Sequence, residues 1–118
     1  MNRDEPEILD DFAARFAPHH TALLIIDMQE DFCLDGYATS QAGRPLDAAR
    51  AIIPTLQDLL SAARTAGVLV CHVGSWTLER HRIDTAPCLA PRTRATYVSD
   101  RIALESSDAA EFIPPLAP

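Results

Sequence analysis

The chain contains no lysine: all ten of its cations are arginine, set against seventeen aspartates and glutamates, for a formal net charge of -7. A chain this acidic lacks the basic footprint of a nucleic-acid binder and is repelled by anionic membranes. There is no CxxC pair; the three cysteines, Cys33, Cys71 and Cys88, are odd in number and scattered. That excludes a zinc ribbon or a disulfide scaffold and points to a reduced, cytoplasmic protein. No apolar leader stands in MNRDEPEILDD, so a secretory signal is not expected. The longest apolar run, Ala22 to Ile26, is far too short to cross a bilayer. Internal repeats and low-complexity tracts are also lacking.

What is present suffices for one domain. The 118 residues are 47 % hydrophobic, which supports a globular fold rather than disorder. Leu9, Phe12, Ala13 and Phe16 recur at helical spacing, predicting a short leading helix over 9–17 that Pro18 stops. TALLIID, residues 21–27, is short, continuously apolar and ends in a charge, the pattern of a strand buried on both faces of a parallel sheet.

A helical pattern follows over Asp47 to Ala66. Ile53, Leu56, Leu60 and Ala63 share one face, and Gly67 stands where a C-terminal glycine cap belongs. Pro54 is placed in the first turn of the main segment, with Leu46 to Ala51 as a separate turn or kinked lead-in. VLVCHV, residues 68–73, repeats the buried-strand pattern. Residues 21–73 thus read as a βαβ unit with parallel strands. Residues 74–118 carry five prolines and no strong period, and read as a lid-like or irregular segment, or an unfinished unit. A short strand is expected near Tyr97–Val98 or Ile102–Leu104.

In open parallel sheets, ligands bind beyond the carboxyl ends of the strands. Asp27 closes the first strand, so its carboxylate is placed at that edge, either for chemistry or to cap the following loop. The loop Asp27-Met28-Gln29-Glu30-Asp31-Phe32-Cys33 has no glycine and its acids repel phosphate. It is therefore neither a phosphate cradle nor a dinucleotide site, and no cofactor is expected. Residue 29 being glutamine, it is not a paired-acid phosphatase motif either.

ALLIIDMQEDF, the helix ending in AARTAG and the strand VLVCHV together resemble the opening of the isochorismatase-like cysteine hydrolases, over residues 9–75. That superfamily includes isochorismatases, nicotinamidases, N-carbamoylsarcosine amidases, ureidoacrylate amidohydrolases and biuret hydrolases. Glu79-Arg80-His81-Arg82-Ile83-Asp84 is similar to the EGHRPD segment of the biuret and ureidoacrylate branch, and residues 111–118 are similar to its EIIPELAP. Ser75-Trp76-Thr77 stands where the nicotinamidase-type metal signature has DWH, so no metal is expected.

The resemblance implies a Rossmann-like three-layer α/β/α parallel sheet, of which this chain is the N-terminal portion. It also implies catalysis by an aspartate, a lysine and a cysteine. A thiol becomes a good nucleophile when a carboxylate takes its proton, and a nearby cation favours the thiolate. By motif Asp27 is the general base; the lysine is expected directly after the LAP segment and the cysteine beyond it, past Pro118. Cys33, Cys71 and Cys88 are poor substitutes, none having the strand-to-helix setting of the nucleophile.

Gln29, Phe32, Trp76, His81 and Arg82 are the candidate substrate-binding residues; the alternative is loop anchoring for Gln29 and Phe32, covering the sheet end for Trp76, and solvation for His81 and Arg82. His72 points either into the core or to the site mouth. His19 and His20 present no i, i+4 metal face. The expected activity is hydrolysis of a small ureido, carbamoyl or amide compound; the alternative is a catalytically incomplete member acting as an interaction or structural subunit. By itself the chain is expected to be inactive. Its expected partners are a small-molecule substrate and either further copies of itself or a complementing C-terminal segment. A receiver-like signalling domain is set aside, because the adjacent acidic pair and the lysine are missing.

Overall fold

A leading helix α1 covers Phe12–Arg15, followed after a single 3-10 turn by strand β1, Ala22–Ile26. Helices α2 (Glu30–Cys33), α3 (Ala38–Gln41) and α4 (Asp47–Ala66) lead to strand β2, Leu69–Val73. In this computed structural model the described residues are 8–78 and 102–118. The two strands pair in parallel, Ala22 opposite Leu69 through Ile26 opposite Val73, so the chain is an α/β protein built on a βαβ unit. No helix among the described residues is long and apolar enough to cross a membrane.

Helix α4 is one continuous element of twenty residues with Pro54 inside it, not a main segment preceded by a separate turn. Packing explains the difference. Ala49 and Ile53 lie on the same core-facing stripe as Leu56 and Leu60, so the buried face runs straight through the proline. Pro54 itself is exposed. It cannot serve the Arg50 carbonyl, but the apolar stripe outweighs one lost hydrogen bond. At the far end Gly67 adopts φ 73°. Its N–H reaches the Arg64 carbonyl, while the Val68 N–H reaches that of Ala63, the paired bonds of a glycine-terminated helix.

Helix α1 is shorter than the 9–17 stretch its periodicity predicts. Phe12 and Phe16 meet at a tilt with centroids 4.7 Å apart, but both rings remain exposed. With no surface on which to bury its apolar face, so short a helix gains little from elongation. Pro18 then opens the 3-10 turn.

The core forms where α4 lies on one face of the sheet. Ile25, Met28, Cys33, Leu60, Ile113 and Leu116 are its buried members, with Leu23 and Val70 packed against them. Alternation puts Leu24 and Ile26 on the opposite face, beside Leu69 and Val73 of the paired strand. These four are between 41 and 63 % exposed. The expectation of burial on both faces is therefore met on one face only, the second lying uncovered among the described residues.

Residues 102–118 form two 3-10 turns, Asp108–Ala110 and Pro114–Leu116. They are irregular yet tightly held, with Ala103, Ala109, Ala110, Ile113 and Leu116 all buried. Phe112 makes an antiparallel bridge with Gln29, through Glu30 N–H to the Glu111 carbonyl at 2.9 Å and Ile113 N–H to that of Met28 at 3.0 Å. Leu104 makes one parallel bridge with Thr77, so a single bridge replaces the strand expected over Ile102–Leu104. Tyr97–Val98 lies outside the described residues.

Candidate active site

β1 ends by turning sharply. Asp27 donates its N–H to the Val73 carbonyl at 2.8 Å, continuing the ladder by one bond, and then adopts φ 56°. That left-handed conformation costs an ordinary residue about 1 kcal/mol or more, and aspartate is among those that tolerate it best. The turn sets the half-buried Asp27 side chain at the carboxyl end of the parallel pair. There Ser75, two residues beyond β2, donates its hydroxyl to Asp27 Oδ1 at 3.1 Å. The two strand ends are thus joined by a serine–carboxylate hydrogen bond.

Gln29, two residues after Asp27, is 0 % exposed. Its Oε1 accepts the Ser75 backbone N–H at 2.7 Å, and its Nε2 donates to the carbonyls of Ser75 at 2.9 Å and Ala110 at 2.6 Å. One side chain therefore joins the loop after β1, the loop after β2 and the 102–118 segment. Gly74 makes room for it: a Cβ there would stand 3.1 Å from Gln29 Cδ and 3.0 Å from Trp76 Cη2.

Of the other residues singled out by sequence, Trp76 is 51 % exposed and meets Phe112 edge-on, with centroids 6.1 Å apart. Phe112 in turn meets His72, whose Nε2 lies 2.9 Å from the Leu116 carbonyl. His72 thus faces the core side of the sheet. Phe32 packs on the hydrophobic core. Asp27, Gln29 and Trp76 are gathered around Gly74 and Ser75, whereas Phe32 sits with the core. His81, Arg82 and Cys88 lie outside the described residues. Cys33 is fully buried, and burial pushes its thiol above the usual range despite the opposing charge of Arg50.

Sequence reasoning did not single out Ser75, Gly74, Phe112 or Asp31. Ser75 could have been found by the strand-end rule that marks Asp27, applied to the second strand. Asp31 follows Gln29 and Glu30 in an acidic stretch yet is 0 % exposed. Its Oδ1 accepts the Thr39 N–H and its Oδ2 the Ala103 N–H, both at 2.8 Å.

Of two cavities lined by described residues, neither includes Asp27. One of about 760 Å³ lies at the amino ends of the strands, between Pro18–Ala22, Arg64 and Gly67–Val70. Another of about 490 Å³ lies beside Tyr37, Gln41, Leu104 and Ser107. The strand-end site carries more weight than either, because polar groups from separate chain segments converge there on an acidic side chain.

Fold and site together define an α/β domain with a carboxylate at the carboxyl end of a parallel strand pair. The chain belongs to the isochorismatase family: residues 21–117 match the isochorismatase domain. Ureidoacrylate amidohydrolase RutB of Enterobacter sp. (strain 638) is 36 % identical over 58 residues, covering 49 % of this chain and 25 % of that protein. RutB of Serratia proteamaculans (strain 568) is 38 % identical over 58 residues, covering 49 % and 23 %. RutB of Klebsiella pneumoniae subsp. pneumoniae is 36 % identical over 55 residues, covering 47 % and 23 %. The matched stretch thus spans about a quarter of the length of these curated relatives.

Proposed function

We propose that this chain supplies the proton-accepting part of a cysteine hydrolase acting on a small ureido, carbamoyl or amide compound. The observation that carries this reading is the placement of Asp27, turned out of the strand end with Oδ1 held by Ser75. Asp27 takes the proton of a cysteine thiol as the sulfur attacks the substrate carbonyl. The proton then goes to the departing nitrogen, the C–N bond breaks, and water hydrolyses the acyl thioester. The substrate class is drawn from the ureidoacrylate amidohydrolases that the chain resembles.

The lysine and the nucleophilic cysteine are assigned to residues outside these 118, on a longer chain or a complementing segment. Two observations support this: the sequence has no lysine, and among the described residues nothing covers the Leu24, Ile26, Leu69 and Val73 face of the sheet. The added segment would cover that face, completing a three-layer α/β/α domain in a reducing cytoplasm. The same two observations favour one alternative, a catalytically incomplete member serving as an interaction subunit.

The test is to measure amine or ammonia release from small ureido compounds by the 118 residues alone and by the completed protein. The expected result is an inactive short chain and an active completed protein. Asp27→Asn should lower turnover of the latter on the order of a thousandfold or more, by analogy with loss of a triad member. An Asp27→Asn enzyme turning over at the unsubstituted rate would sink the assignment; a completed protein inert toward all such compounds would favour the subunit reading.

A further inference from the structure

We propose that Ser75 and Gln29 form a positioning pair for the Asp27 carboxylate, Ser75 orienting it and Gln29 fixing Ser75. The inference rests on the reading of Asp27 as proton acceptor.

The orientation comes from one bond. Ser75 Oγ donates to Asp27 Oδ1 at 3.1 Å, and among the described residues no hydrogen bond engages Oδ2. One oxygen is held and the other is left to receive a proton. Ser75 is exposed and sits in a loop. A loop hydroxyl can fix a carboxylate only if its own backbone is fixed. Gln29 does this from both sides, accepting the Ser75 N–H and donating to the Ser75 carbonyl.

Glutamine is the side chain this place requires. Both hydrogens of Nε2 are used, on Ser75 and Ala110, and Oε1 is used as an acceptor. Glutamate in the same position would turn a carboxylate oxygen toward two carbonyls inside a fully buried site. Asparagine is one methylene too short to span the same partners. Gly74 belongs to the device as well, since a Cβ there would press on the glutamine amide at 3.1 Å. None of these groups touches the reacting atoms; they act through Asp27.

The experiment uses the completed protein with Ser75→Ala, Ser75→Thr, Gln29→Glu and the double variant Ser75→Ala/Gln29→Glu. Because a small misplacement of a catalytic group costs about a hundredfold, Ser75→Ala should lower kcat roughly 10- to 100-fold. KM should stay nearly unchanged, and Ser75→Thr, which keeps the hydroxyl, should recover most of the rate. Gln29→Glu keeps an acceptor for the Ser75 N–H but sets a carboxylate oxygen against the Ser75 and Ala110 carbonyls, so it should lower kcat, and the double variant should be no slower than the worse single one. Ser75→Ala turning over at the normal rate while Asp27→Asn does not would overturn the positioning role and leave the Asp27 reading standing. Asp27→Asn at the normal rate would overturn both. Should Gln29→Glu fail to fold, the Ser75 alanine and threonine pair decides the matter, since that side chain is exposed.

Discussion

At the residue scale, a buried carboxylate does more to hold the described residues together than a surface ion pair does. The Arg50–Asp35 bridge at 2.9 Å sits at the surface, where such pairs contribute little. Asp31, by contrast, is fully buried and braces the start of α3 against Ala103, itself at φ 47°. Asp31→Ala would leave two buried N–H groups without acceptors and should destabilise the fold by roughly 2–5 kcal/mol. Urea denaturation reads this directly, and a loss below about 0.5 kcal/mol, the range of an ordinary surface change, would contradict it. Tyr37 offers a second test. Its hydroxyl donates to the Glu30 carboxylate, and that bond, reinforced by burial and by the charges of Glu30, Asp108 and Asp31, pushes its ionisation up to about 12. An unfolded tyrosine ionises near about 10. The folded state therefore holds its proton longer: the stabilisation is complete below about pH 10 and is lost as pH rises toward 12. Tyrosinate absorbance should show this late ionisation, and Glu30→Gln should bring it down; a Tyr37 titrating at the ordinary position would refute the bond.

At the scale of elements, α4 is the main support of the sheet and carries its own defect. Pro54 sits eight residues into a helix of twenty and removes the bond to the Arg50 carbonyl. Pro54→Ala restores that bond at an exposed position, and should stabilise the protein by roughly 1–3 kcal/mol, part of the full difference between proline and alanine in a helix interior. A fall in melting temperature would mean instead that the helix is bent around the proline in a way its packing needs. α1 shows the opposite balance: it has the periodic pattern without a surface to bury it on, so only Phe12–Arg15 remain helical. The loops after β1 and β2 gain their order from the Gln29 amide and from the 111–113 segment, not from regular structure of their own.

At the scale of the whole molecule, the two sides of the sheet differ. One carries α4, Ile113 and Leu116; the other presents Leu24, Ile26, Leu69 and Val73, and among the described residues the sheet has two strands with no further strand on either edge. Exposed apolar strands with unpaired edges promote association. The 118 residues by themselves should therefore self-associate, and Leu24→Thr with Ile26→Thr should reduce association while keeping strand-forming side chains. Light scattering across a concentration series checks this, and a monodisperse monomer before substitution would count against it.

The sequence by itself determined the βαβ unit, because each part is coded locally. Five consecutive apolar residues make β1, a 3.6-residue stripe and Gly67 make and end α4, and a charge after the apolar run puts Asp27 at the strand end. Its motifs also pointed to the isochorismatase family, which the match over residues 21–117 establishes. Only the tertiary structure decided what surrounds that aspartate. Ser75 reaches Asp27 across 48 positions, Gln29 reaches Ala110 across 81, and Asp31 reaches Ala103 across 72. No periodicity registers contacts between such distant residues, and a polar side chain looks the same in sequence whether it lines a pocket or clamps two loops. Which face of the sheet lies open was equally hidden, since an apolar strand reads alike whether one side is covered or both.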